Sequence, residues 1–258
     1  MSKKIEKIVI IGAGNVATHL AIHLSKVVTI VGILSKNNSS AVALAKKINT
    51  QSFEQLNEIP ENDLILICTN DSTISIIESE IPSHFNIAYT SGSTSLESLS
   101  NRKYSGVFYP LQTFSKEKEI TLSDVPFFIE ASNDLFGKSL FDLALTLSSN
   151  VSFANSLERK KLHLSAIFVN NFINHLAHIA NQYTEKEKLN WDHLKPLIRE
   201  TIDKLNSTSP KEAQTGPARR NDLPIIQEHL SMLDGFPKKI YELLSESIID
   251  TYSTNDNK

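Results

Sequence analysis

The chain predicts an α/β fold, with a doubly wound parallel sheet in its first half and an all-helical domain in its second. Three observations carry this prediction. A short apolar strand runs into a G-x-G-x-x-A turn, Gly12-Ala13-Gly14-Asn15-Val16-Ala17, and straight on into a helix pattern. Apolar strands and helical segments then alternate to about residue 152, the pattern of a parallel sheet covered on both faces. Beyond that point the strands stop and four helical stretches follow.

The elements follow in order. The first strand is Ile5–Ile11 and its helix Val16–Ser25. The β-branched run Val27–Leu34 is the second strand, and Ser39–Ile48, rich in Ala and Lys, is the next helix. Asp63–Cys68 is a continuous apolar strand, followed by a short helix at Thr73–Ser79. Ile87–Thr90, Val107–Tyr109 and Phe127–Glu130 read as further strands. In the second half, Leu157–Tyr183 contains no Gly or Pro and reads as one long helix. Its apolar residues point almost everywhere, which predicts a buried helix. Asp192–Asn206 is the second helix, with Pro196 in its first turn. Leu223–Leu233 is the third, and Phe236–Tyr252, opened by Pro237, is the fourth. The expected domains are therefore 1–152 and 153–258.

Composition excludes several classes of function. The 258 residues carry a formal net charge of −3, so nothing draws the chain to nucleic acid or to an anionic membrane. No apolar run approaches the ~18–20 residues that span a bilayer. The polar opening Met1-Ser2-Lys3-Lys4 leads into the first strand without the apolar region of a signal peptide. Cys68 is the single cysteine and lies in an apolar run, so it reads as a buried hydrophobe in a cytoplasmic protein. No metal site is expected.

The glycine turn points to a dinucleotide. Gly12 allows the tight turn, Gly14 lets the backbone approach a pyrophosphate, and Ala17 lets helix and strand pack closely. The opening N–H groups of the helix, from Asn15 and Val16, face the anion with the helix dipole behind them. The loop after strand 2 then selects the cofactor. An NAD site usually places Asp or Glu about 20 residues beyond the glycines to accept from the ribose 2′-OH. Here the chain reads Ser35-Lys36-Asn37-Asn38, without an acid. A hydroxyl, an ammonium and two amides suit a 2′-phosphate, which predicts NADP. The same residues also suit a polar turn capping the next helix at Ser39 or Ser40. Two more loops follow strands of the sheet: Thr69-Asn70-Asp71 and Ser91-Gly92-Ser93. Ligands of open α/β sheets bind beyond the carboxyl ends of strands, so these loops are candidates for cofactor contact, with Ser93 reaching the substrate. Helix capping is their alternative.

One strip breaks the apolar surface of the long helix. His163, Asn170 and Asn174 are spaced i, i+7, i+11, within about 40° of arc at 100° per residue. Buried amides and imidazoles need partners. The strip therefore lines either an active-site cleft or a polar seam between domains or subunits. In the first case His163 is the proton donor for a carbonyl or imine reduction. Asn170 and Asn174 then hold developing charge or orient the substrate. In Thr215-Gly216-Pro217-Ala218-Arg219-Arg220, the adjacent Arg219 and Arg220 offer forked donors for a substrate carboxylate or phosphate. Solvated or interface arginines are the alternative.

The chain resembles bacterial proteins with an N-terminal Rossmann-like NADP-binding domain and a C-terminal helical domain of unknown function, labelled NADP oxidoreductases. The matching segments are Gly12–Ala17, Ser91–Ser93, Phe108-Tyr109-Pro110-Leu111-Gln112-Thr113-Phe114-Ser115, His163 through Asn174, and Thr215 through Asp222. The resemblance implies kinship with the group of pyrroline-5-carboxylate and ketopantoate reductases and 6-phosphogluconate dehydrogenase. There an interdomain helix brings catalytic side chains to the nicotinamide. The Lys followed four residues later by Asn that is common in that group is replaced here by Lys160–Leu164 and Lys161–Ser165. The expected function is hydride transfer between NADP(H) and a small anionic carbonyl, imine or alcohol in the cleft between the domains of a homodimer. The alternative is a non-catalytic NADP-binding sensor or interaction protein whose helical domain dimerises.

Overall fold

The computed structural model describes residues 3–99 and 102–253. It contains one eight-stranded sheet: β1 (Lys7–Ile11), β2 (Thr29–Leu34), β3 (Gln51–Phe53), β4 (Leu64–Ile67), β5 (Ile87–Tyr89), β6 (Ser105–Pro110), β7 (Phe127–Ala131) and β8 (Val151–Phe153). Their spatial order is β3-β2-β1-β4-β5-β6-β7-β8. Every neighbouring pair is parallel except β6 and β7. The order reverses between β1 and β4, so a ligand crevice opens beyond their carboxyl ends.

Helices cover both faces of this sheet, which is why its central strands are apolar throughout. Ile8, Val9 and Ile10 in β1 and all four residues of β4 are fully buried. On one face, α1 (Asn15–Leu24), α2 (Asn38–Lys47) and α4 (Asp134–Leu145) contribute Leu20, Leu24, Leu44, Phe136 and Leu140 to a common core. On the other, Ile74 of α3 (Asp71–Glu80) packs with Val9, Ile65, Tyr89 and Tyr109. The sequence reading omits β3, β8 and α4. The first two are three-residue edge strands. Helix α4 carries a usable signal: the Asn133 side chain caps it by accepting from the Phe136 N–H at 3.0 Å. The cap of α2 is Asn37, which accepts from the Ser40 N–H, where Ser39 or Ser40 was expected.

The expected long helix is three pieces: α5 (Ser156–Ala166), a π-helical stretch (Ile167–Phe172) and α6 (Ile173–Lys186). The expectation that it is buried is wrong for the single chain. Leu164, Phe168 and Val169 are 57%, 60% and 70% exposed. The wide π turn also shifts the phase between His163 and Asn174, so the arc computed at a constant 100° per residue does not hold.

Two compact units divide between Phe172 and Ile173, whereas the shift in composition near residue 153 marks the end of β8. Helix α5 goes with the first unit because its Arg159 is fully buried there. The second unit contains α6, a 3-10 turn at Trp191–Leu194, α7 (Lys195–Ser207), α8 (Pro210–Ala213), α9 (Leu223–Ser231) and α10 (Gly235–Ser253). Its core is small: Ala218, Ile226 and Leu230, with Tyr241, Ile248 and Ile249 packed against them. No described helix is long and apolar enough to cross a membrane.

Candidate active site

A cavity of about 1030 Å³ opens at the carboxyl ends of β1, β2 and β4. Its lining includes Gly12, Gly14, Ser35, Lys36, Thr69 and Asn70, so six of the sequence-predicted cofactor residues meet in one space. Gly12 takes φ +119°, and a Cβ there would lie 2.3 Å from the carbonyl oxygen of Cys68. Only glycine fits that turn. A Cβ on Gly14 would meet nothing within 4 Å, so the backbone before α1 faces open space. Gly14 is also the N-cap of α1 and makes no side-chain cap bond, which leaves the first N–H groups, at Asn15 and Val16, without that partner. These features fit a dinucleotide pyrophosphate at the helix start.

The lining also contains an acid that the loop after strand 2 does not show. Glu54, just beyond β3, faces the cavity and accepts from the Asn38 amide at 3.2 Å. It was missed because β3 was missed. Cys68 forms part of the floor, and burial pushes its thiol up to about 12, so it is an inert wall.

A chain of contacts leads from this cavity to His163, entirely within the first unit. Asn70 caps α3, and Asp71 is the first residue of that helix. The Asp71 carboxylate accepts a hydrogen bond from the Ser93 hydroxyl. Ser91 is buried, and its Oγ accepts from the N–H groups of Ser93 and Thr94 at 3.1 and 2.9 Å. Gly92 lies flat on Tyr109: a Cβ there would come within 2.5 Å of the ring. The Tyr109 hydroxyl is 3.0 Å from Nδ1 of His163. Burial, the largest influence, pushes the Tyr109 phenol up to about 12, so it stays protonated at neutral pH.

Arg159 holds this block together. It lies one helical turn before His163, with its guanidinium fully buried. Nη2 donates to Glu130 of β7 at 2.6 Å, and Nη1 donates to the carbonyls of Ser91 and Thr94 at 2.9 and 3.2 Å. Ser156 adds a second tie, its backbone N–H donating to Glu130 at 3.0 Å. The start of α5 is fixed by a capping box in which Asn155 accepts from Glu158 N–H and Glu158 accepts from Asn155 N–H, at 3.0 and 2.8 Å. Sequence reasoning missed Tyr109, Glu130 and Arg159 as site residues.

The other candidates fall elsewhere. Asn170 is exposed within the π-helical stretch. Asn174, Arg219 and Arg220 belong to the second unit. There the Arg219 guanidinium stacks 4.1 Å from the centre of the Tyr252 ring, and Arg220 is exposed.

The chain is similar to several known proteins. Residues 2–88 match the family model for shikimate / quinate 5-dehydrogenase, and residues 125–248 match a domain of unknown function, DUF2520. No curated protein matches the chain. Among solved structures, a putative NADP oxidoreductase from Bacteroides fragilis is 39% identical, with 95% of this chain and 98% of that one covered and a TM-score of 0.88. A protein from Thermotoga maritima shares the fold at 17% identity and TM-score 0.73, over 97% of this chain and all of that one. A reductive aminase from Aspergillus terreus, solved with NADPH and ethyl-5-oxohexanoate, shares it at 12% identity and TM-score 0.68, over 96% and 95% of the two chains. Given its match to the Bacteroides protein over nearly their whole lengths, the chain belongs to the family of Rossmann-type putative NADP oxidoreductases with a C-terminal DUF2520 domain.

Proposed function

We propose that the protein uses NADP(H) to transfer a hydride to or from a small anionic carbonyl, imine or alcohol. The observation that carries this reading is the unbroken path from the cavity through Asp71, Ser93, Gly92 and Tyr109 to the His163 imidazole. Such a path supports reading His163 as the acid–base group for a nicotinamide bound toward that end of the cavity. Ser35 and Lys36 in the cavity wall support a 2′-phosphate, and the 39% identical relative is described as an NADP oxidoreductase. When bound, the cofactor supplies the hydride. His163 supplies the matching proton as the general acid at the end of that path. Asn170 and Asn174 are proposed to orient the substrate, and Arg219 and Arg220 to hold its anionic group.

A second copy of the chain is the proposed cover for the apolar helix face. Leu164, Phe168 and Val169 on one stretch, and Leu197, Ile198, Ile202 and Leu205 on α7, are all exposed. A copy therefore brings apolar helix surfaces of the kind these residues need. The proposed assembly is therefore a cytoplasmic homodimer, a location that the single buried cysteine supports.

Two measurements test the proposal. At 100 times its Kd, NADP is expected to stabilise the fold by about 2.7 kcal/mol, with NAD giving less at equal concentration. Absence of a rise in Tm with either nucleotide overturns the cofactor assignment. NADPH oxidation is then followed with a panel of small ketones and cyclic imines. His163→Ala is expected to lower turnover at least ~100-fold, the general acid contribution. Nucleotide binding without turnover of any such substrate favours the non-catalytic sensor.

A further inference from the structure

The segment Phe108–Ser115 is specific in sequence, yet hydride transfer as described gives it no task. We propose that Tyr109 is the positioning residue for His163, fixing the ring by Nδ1 so that Nε2 is the nitrogen offered for proton transfer. This rests on the reading of His163 as the proton donor.

Three features support the assignment. First, the Tyr109 hydroxyl and Nδ1 of His163 share a part-buried hydrogen bond at 3.0 Å. A buried O–H needs an acceptor, and the Nδ1 lone pair is one only when the neutral ring carries its proton on Nε2. Second, the phenol cannot turn away. Gly92 packs on it, Phe128 lies 6.4 Å from it between ring centres, and Arg159 fixes the loop that holds Gly92. Third, a tyrosine hydroxyl both donates and accepts. When His163 is an imidazolium, Nδ1–H donates to the phenol oxygen and Nε2–H remains for the substrate. In the transfer step the Nε2–H bond breaks, its electron pair stays on nitrogen, and the proton goes to the substrate oxygen or nitrogen as hydride reaches carbon. Tyr109 accepts from Nδ1–H throughout that step. It stays protonated, so it orients the acid without supplying the proton.

The test uses the full chain with ¹⁵N-labelled histidine, and His163→Gln identifies the His163 resonances by difference. In the wild type, neutral His163 is expected to carry its proton on Nε2, with Nδ1 as a hydrogen-bonded acceptor. In Tyr109→Phe, the Nδ1 resonance is expected to move toward that of a free imidazole and the titration midpoint of His163 to shift. In NADPH oxidation with a small cyclic imine, the same variant is expected to lose about 10-fold in kcat, with the KM for NADPH unchanged and the pH profile displaced. A second variant, Gly92→Ala, pushes on the ring from the other side and should move the same Nδ1 resonance. Unchanged Nδ1 resonance and midpoint in Tyr109→Phe overturn the proposal, as does a wild-type Nδ1 resonance of a nitrogen without a hydrogen-bonded partner. Full turnover in His163→Gln overturns the proton-donor reading, while the resonances still decide the role of Tyr109.

Discussion

The two compact units treat their apolar residues in opposite ways. In the first, Ile8, Val9 and Ile10 of β1 and all of β4 are fully buried, and even an arginine side chain is fully enclosed. In the second, the buried core is three residues, while Leu197, Ile198, Leu243 and Leu244 are exposed. The apolar sequence pattern is equally strong in both. What differs is the cover: the sheet is covered by helices of its own chain, whereas apolar side chains of the helical unit are exposed.

The largest test of that contrast is Arg159→Ala. Removing one partner of a buried ion pair costs about 3–5 kcal/mol, because the other partner is left unpaired. Here Glu130 would lose its guanidinium, and the carbonyls of Ser91 and Thr94 a donor. Chemical denaturation of the variant should show a loss of that size, and a loss below ~1 kcal/mol would remove Arg159 as the anchor of the site.

Phe168→Asp combined with Val169→Asp addresses the exposed apolar face at the end of the first unit. Both side chains are exposed in the single chain, so the variant should fold. In a dimer each charge would be buried, at a cost of about 2 kcal/mol or more. Sedimentation should therefore show a dimer for the wild type and a monomer for the variant. A wild-type monomer breaks the comparison outright. Lys36→Ala has a smaller effect, because Lys36 is exposed and its charge is screened. Affinity for NADP should fall about 5- to 10-fold, near 1 kcal/mol, with NAD unaffected. Glu54→Gln should act in the opposite direction on NADP, since it removes a negative charge from the same cavity.

Legibility in the sequence follows the same division. The strands could be read because burial on both faces makes each one a continuous apolar run. The cofactor cavity could be read because Gly12 and its loop partners sit at strand ends. His163 stood out as a polar residue on an apolar helix. Arg159 did not, since within Leu157-Glu158-Arg159-Lys160-Lys161 it looks like one more solvated charge. Its partners Glu130 and Ser91 lie far back in the chain, and no local pattern announces them. Tyr109 was concealed similarly, as an apparent core residue of β6. The alignment of Asn170 and Asn174 with His163 assumed a regular helix, and spacing alone does not reveal the π turn that interrupts it.

The smallest effect comes from the loop after β6, tied to α1 by two histidines one turn apart. His19 Nε2 lies 2.9 Å from the Ser115 carbonyl oxygen, and His23 Nε2 lies 3.0 Å from that of Ile120. Carbonyl oxygens only accept, so both Nε2 atoms donate. Burial, the largest influence on His23, holds its pKa below the ordinary 6.5, and the Ile120 carbonyl offsets only part of this. The unfolded chain therefore binds the proton more readily than the folded one. His23 contributes its full stability above pH 6.5 and loses it as the pH falls through the lowered folded value. A glutamine at this position can still donate to Ile120 but cannot titrate. The Tm of wild type minus that of His23→Gln should therefore decrease between pH 7 and pH 5. A difference that stays constant with pH would mean that the acid sensitivity of the sheet unit lies elsewhere than in the strap between α1 and β6.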